Sequence, residues 1–341
     1  MLHIVPRNSD PQAAFQIRCD GCSLSARWLP DYFVPEEVRK AVPKTRILAV
    51  LGYETPSNNL KYLPARKGLE WAIAEGLTGP GRKILVPSSG NFLESEQVVI
   101  DEEGIELTLI GVVSSKLPTG KRLRLERRGI SLITELDLQR ELGLKVPDAT
   151  LKMLKAYSTK VGIPVLDQYD CTWNSDSYLP IPEEVYEQIG PISFYCTTAG
   201  TKGKHRVGVE MKRRSGRTLL VVVFPKPGHA FPGGRNEELI KEVANKFGIE
   251  PMPRHTDELV AYERIGQLYP EGITAGVTFG AEVGVAQDFL LEMLVAGRID
   301  ELLLDDGSIT VLIVCSDSIF PYISEGKRRL PHLFGKIPDP S

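Results

Sequence analysis

What most limits the fold of this chain is an alternation along it, in which short runs of β-branched and other apolar residues are each followed by a longer amphipathic stretch. Parallel strands need a crossover between them, usually a helix, so the pattern is that of an α/β protein with mostly parallel sheets. Arg46–Leu51, Lys83–Val86, Leu107–Val113, Pro191–Cys196, Thr218–Phe224 and Ile309–Cys315 are the expected strands. Helices are expected between them. Ala65, Leu69, Ala72 and Ile73 share one helical face, Asn236 is placed to cap a helix over Glu237–Phe247, and Val283–Val295 is apolar enough for either a core or an interface. Pro225–Arg235 and Gly335–Ser341 are rich in Gly and Pro and read as loop and tail. A weak break near Lys160–Pro164 suggests two three-layer α/β/α sub-domains: an extension over 1–44, a first sub-domain over 45–165, a second over 166–334 and a tail over 335–341. Ligands are expected at the carboxyl ends of the strands, where open parallel sheets leave a crevice.

Composition excludes several classes of function. A net charge of −3 over 341 residues offers no basic footprint for nucleic acid. The start of the chain lacks a basic stretch followed by an apolar one, and no run reaches the roughly 18 apolar residues of a membrane span, so a cytoplasmic protein is expected. Cys19, Cys22, Cys171, Cys196 and Cys315 are odd in number and scattered, unlike a disulfide framework. Cys19-x-x-Cys22 has no second ligand pair nearby, and His3, His205, His229, His255 and His332 show no helical ligand spacing, so no metal site is expected.

Four short segments carry the polar residues that could do chemistry. Ser57-Asn58-Asn59-Leu60-Lys61 is a polar loop running into a helix, and a lysine there, near the cationic Arg66, is either an activated amine or a solvated surface residue. Ser88-Ser89-Gly90-Asn91 follows a strand and offers hydroxyls, amides and a carboxamide; an ordinary turn uses the same residues. Thr197-Thr198-Ala199-Gly200-Thr201 also follows an apolar strand and precedes a helix, the arrangement of a phosphate cradle or of a tight turn. Cys315-Ser316-Asp317-Ser318 closes the last strand, with Tyr322 beyond it; its hydroxyls suit a heteroaromatic nitrogen or a helix cap. The basic run Lys202, Lys204, His205 and Arg206 reads more readily as a solvated helix face than as a receptor for an acidic substrate.

Taken in order, with Gly276-Val277-Thr278-Phe279-Gly280-Ala281 between the third and fourth, these segments resemble those of the fold type II pyridoxal-phosphate enzymes, the tryptophan synthase β superfamily, and within it the cysteine synthase and cystathionine β-synthase branch. The resemblance spans nearly the whole chain and implies pyridoxal 5′-phosphate in a cleft between the sub-domains. It makes Lys61 the Schiff-base lysine and proton shuttle, gives Asn91 the ring hydroxyl, and gives Ser88, Ser89, Gly90 and Asn91 the substrate carboxylate. Thr197, Thr198, Ala199, Gly200 and Thr201 would take the phosphate, and Ser318 the pyridine nitrogen. The implied reaction is β-replacement on a serine-type amino acid through an aminoacrylate, with a nucleophilic co-substrate, in a homodimer. Phe92-Leu93, with Glu94 next, stand where the family has Thr-Gly after the asparagine, and Thr197 and Ala199 where it prefers glycine, which makes a specialised variant as plausible as sulfide transfer. The alternatives are a β-elimination lyase or deaminase, a threonine synthase-like enzyme, or a cofactor-free binding protein on the same fold.

Overall fold

The computed structural model describes residues 15–338 apart from 89, 118, 145–149, 170, 199 and 231–238. Its strands are β1 (Phe15–Cys19), β2 (Cys22–Trp28), β3 (Thr45–Val50), β4 (Lys83–Pro87), β5 (Thr108–Val113), β6 (Ser131–Thr134), β7 (Phe194–Thr198), β8 (Leu219–Pro225), β9 (Met252–Thr256) and β10 (Ile309–Val314). Six helices matter below: α1 (Tyr62–Ala74), α2 (Asn91–Glu103), α3 (Thr119–Arg127), α4 (His205–Ser215), α5 (Glu258–Leu268) and α6 (Val277–Val295). The chain divides into two units, a larger one running up to Leu60 and resuming at Tyr178, and a smaller one over Lys61–Ser177.

The larger unit is a seven-stranded sheet in the order β1-β2-β3-β10-β7-β8-β9. Every pairing from β3 to β9 is parallel, while β1 and β2 form an antiparallel hairpin on the β3 edge. All six residues of β10 are buried, as expected of a central parallel strand covered on both faces. Strand β3, grouped on sequence with the segment that carries Lys61, pairs along its whole length with β10 and belongs to the larger unit.

Each of the six expected runs is a strand, and four others went unforeseen. The hairpin falls within 1–44, where its strands FQIRC and CSLSARW are too polar to stand out, although Asp20-Gly21 between them is a two-residue hairpin signal and Gly21 has φ 74°. β9 contains Pro253, which an edge strand tolerates. β6 is short, with no fully buried residue to mark it.

Helix α6 settles the choice left open for Val283–Val295. Val283, Ala286, Phe289, Leu290 and Met293 lie in the core, while Asp288 and Glu292 face outward and the last turn emerges, with Val295 86% exposed. A Cβ at Gly280 would stand 2.1 Å from the carbonyl of Ala261, so the α5–α6 contact depends on that glycine. In α1 the buried face is Ala65, Leu69 and Ala72, whereas Ile73, expected beside them, is turned 100° away and is 50% exposed. The helix near Glu237–Phe247 is described over Leu239–Phe247; its supposed cap Asn236 lies outside the described residues.

The smaller unit is a parallel sheet β4-β5-β6, extended by a parallel bridge from Leu85 to Val165. Glu96 of α2 is wholly buried, and neither carboxyl oxygen has a hydrogen-bond partner among the described residues. Burial pushes its pKa well above the ordinary 4.5. Such a group does no harm below about pH 4.5, but costs stability as pH rises, because the unfolded chain ionises where the folded chain does not. Glu96→Leu is expected to raise the unfolding free energy at pH 7 by about 2 kcal/mol and to flatten its pH dependence. Urea titrations at pH 5 and 8 check this, and superimposable curves for the two proteins would refute it.

Candidate active site

The carboxyl ends of β3, β10 and β7, together with the start of α6, meet in the larger unit, and the sequence explains how. After β3 the chain turns through Gly52, where a Cβ would stand 2.2 Å from the carbonyl of Cys315, so only glycine lets the β3 and β10 ends approach this closely. The following loop is closed by its own polar side chains. The Thr55 hydroxyl donates to Asn59 O at 2.7 Å and the Asn59 amide group to Ser57 O at 2.8 Å, while Asn58 adopts φ 55°. Asn59 bridges Asp317, and Leu60 N donates to Ser316 O at 2.7 Å. The residue immediately before Lys61 is thus pinned to the segment that carries Ser318. Ser318, buried, bridges Ala275; Gly276 N donates to Asp317 O at 2.8 Å, and Tyr322 donates its hydroxyl to the Asp317 carboxylate at 2.6 Å.

Thr197 and Thr198, expected to follow the strand, are the last two residues of β7, and the loop beyond them leads to the eleven-residue α4. Thr197 and Thr198 are buried, Gly200 has nothing within 4 Å of where a Cβ would stand, and Ala199 lies outside the described residues. The basic run that follows is not the solvated face expected of it. Lys202 adopts φ 66° and pairs with Glu242 at 2.6 Å, while Lys204 is only 8% exposed and His205 is wholly buried. The first turn of α4 presses against the sheet ends, and this takes both residues inward.

Lys204 uses all three ammonium donors there: 2.6 Å to Glu282 Oε1, 2.9 Å to Ser316 Oγ and 3.0 Å to Val314 O. The same Glu282 oxygen accepts from Thr198 N at 2.7 Å and from the Thr198 hydroxyl at 2.9 Å. Burial raises the pKa of Glu282 and Lys204 opposes that rise. His205 is held neutral, its pKa pushed down to about 3 by burial. One buried ion pair therefore ties the loop after β7 to the loop after β10. Glu282 was not singled out on sequence, although an acid among the small and apolar residues Val277–Ala286 is itself a mark of a buried partner.

This donor set fits a phosphate. The loop after β7 leads into the N-terminus of α4, so backbone amides and the helix dipole serve an anion, and the nearby Glu282 is paired with Lys204. Thr198, one of the residues expected to assist, has both its donors committed to Glu282. A phosphate held here takes its bonds from the rest of the loop.

In the smaller unit, Lys61 is half-buried at the N-cap position of α1, where it makes no side-chain capping bond. Arg66, expected to depress its pKa, has its own charge compensated by Glu103 at 2.7 Å. Ser88 is buried after β4 and accepts from Gly90 N at 3.0 Å; Gly90, at φ 119°, precedes α2, whose first residue is the half-buried Asn91. Ser89 lies outside the described residues. One turn on, Glu94 is buried and paired with Arg124 at 2.8 Å and Arg128 at 3.4 Å. Phe92 is buried and stacks on Trp173 with ring centroids 6.0 Å apart. Among the described residues no cluster of His, Cys, Asp or Glu could hold a metal ion, and no helix is long and apolar enough to cross a membrane.

No family model matches the chain. It is 28% identical over 265 residues to N-(2-amino-2-carboxyethyl)-L-glutamate synthase of Ralstonia nicotianae, covering 73% of this chain and 75% of that protein. Among solved structures it resembles O-ureido-L-serine synthase, with TM-score 0.67 and 19% identity over 97% of this chain and 94% of the other. It also resembles the O-acetylserine dependent cystathionine beta-synthase from Helicobacter pylori, with TM-score 0.65 and 19% identity over 88% and 94%. Parallel α/β architecture, loops at the carboxyl ends of the strands and these likenesses agree: the chain has the fold of O-ureido-L-serine synthase and of the Helicobacter pylori cystathionine beta-synthase.

Proposed function

We propose that this protein is a pyridoxal-phosphate-dependent synthase that replaces the leaving group on the β-carbon of an O-activated serine with a nucleophile. The observation that carries the reading is the convergence in the larger unit, where the residue preceding Lys61 bonds Ser316, and Lys204 joins Ser316 to the loop after β7. One reactive amine thereby follows directly on a segment tied to the candidate phosphate and ring-nitrogen groups. The names of the three relatives agree with this, since each contains a serine-derived amino acid or its 2-amino-2-carboxyethyl skeleton.

Bound pyridoxal phosphate supplies the electron sink for breaking bonds at the α- and β-carbons. Lys61 would hold the cofactor and would serve as the base that takes and returns the α-proton of the substrate. The amides and hydroxyls of Ser88, Ser89, Gly90 and Asn91 bind the substrate carboxylate, and Asn91 also holds the ring hydroxyl. The backbone over Ala199–Thr201, beyond the committed Thr198, would take the phosphate. Ser318 would offer the ring nitrogen a neutral hydroxyl rather than a carboxylate, which would suit β-chemistry better than transamination. A homodimer working in the cytoplasm accords with the resemblance.

The test is to purify the protein with pyridoxal phosphate, add O-acetyl- or O-phospho-L-serine with sulfide, glutamate or another amine, and follow the visible spectrum and the products by mass spectrometry. A visible band that shifts with the serine derivative, and a product in which the β-carbon carries the nucleophile, are expected. A colourless protein, or a keto acid and ammonia formed whatever nucleophile is present, would overturn the reading.

A further inference from the structure

Within the smaller unit, the Ser88–Asn91 loop has a cationic neighbour that no motif announced. A Cβ at Gly90 would stand 2.3 Å from Cε of Lys121 and 3.1 Å from its Nζ, so the lysine side chain lies directly over this glycine. Lys121 is half-buried in α3, and α3 is clamped to α2 by the pairing of Arg124 and Arg128 with Glu94, one turn beyond Asn91. Phe92 stands where the family that the sequence resembles has a threonine, and its buried ring stacks on Trp173 and donates nothing.

We propose that Lys121 binds the α-carboxylate of the amino-acid substrate, standing over Gly90 to supply the charge and donor that Phe92 lacks. This rests on the functional reading above. The geometry has three parts that fit together. Gly90 leaves the room, the helix α2 turns its positive N-terminal end to the same place, and the Glu94–arginine pairs fix the helix from which Lys121 reaches. An ammonium over backbone amides holds a carboxylate by charge-assisted hydrogen bonds, which are stronger than the neutral hydroxyl bond they replace. A side chain larger than hydrogen at position 90 would displace the lysine.

The test compares Lys121→Met and Lys121→Arg with the wild-type holoenzyme, titrating L-alanine, which has no leaving group, and L-alaninamide, which has no carboxylate, against the visible band. Lys121→Met is expected to weaken L-alanine about tenfold to a hundredfold, with L-alaninamide affinity, cofactor content and thermal unfolding unchanged. Lys121→Arg should recover most of the loss. L-alanine affinity within about twofold of wild type overturns the assignment, and so does an equal loss for both ligands or a loss of bound cofactor. A wild-type protein that takes up no pyridoxal phosphate at all overturns the underlying reading, and this one with it.

Discussion

Lys61→Ala is expected to lose turnover by about a thousandfold or more while remaining folded. The loss follows from chemistry, since no other residue in the Ser57–Ala65 segment carries an amine that can bond an aldehyde and then move the α-proton. Survival of the fold follows from structure. Lys61 makes no capping bond at the start of α1, and the loop before it is closed by Thr55, Ser57 and Asn59 and held at Leu60 by Ser316. Borohydride reduction and peptide mapping should place the pyridoxyl label on Lys61 in the wild type and nowhere in the variant. Added methylamine should restore a measurable part of the rate. Normal turnover by Lys61→Ala, or a label on another lysine, would dismiss Lys61 from the role.

The second large effect is expected at the ion pair between Lys204 and Glu282. Lys204→Met leaves a wholly buried carboxylate without its cation, and Glu282→Leu leaves a buried ammonium without its anion, so each alone should cost about 3–5 kcal/mol. The double variant should recover most of that, because two apolar side chains of similar volume satisfy each other in a buried site. Its affinity for pyridoxal phosphate should recover less, since the N–H and hydroxyl of Thr198 lose their common acceptor and the loop loses its tie to Ser316. The pH dependence has a definite sign. Burial already raises the pKa of Glu282 against the pull of Lys204, and removing the lysine raises it further. The defect of Lys204→Met should therefore shrink as pH falls, when the carboxyl can be protonated, and grow as pH rises. Denaturant titrations at two pH values and equilibrium dialysis of the cofactor measure both properties. Single variants as stable as wild type would show that the pair holds nothing in place.

The parallel architecture and its six main strands were legible in the chain, because each central strand is a continuous apolar run long enough to stand out. The candidate loops were legible for a related reason: small, hydroxylated residues directly after such runs mark strand ends, where backbone donors are left over. The hairpin β1–β2 was not, since an edge hairpin alternates polar with apolar residues and carries too few of the latter to be told from a tail. Nor was the buried state of Lys204 and His205. Charge along a sequence is read as solvated by default, and only a partner distant in sequence, Glu282 of α6, makes burial of the lysine tolerable.

The sequence by itself determined the class of fold, the position of the candidate amine and the small-residue turns, because each depends on local spacing and side-chain type. Tertiary structure alone decided which strand belongs to which unit, that Thr198 is committed to Glu282, that Leu60 is held by Ser316, and that Lys121 covers Gly90. These are pairings between residues 30 to 260 positions apart, and roughly that many intervening residues hold no local trace of them, since hydrogen bonds and ion pairs act over a few ångströms of space and not along the chain.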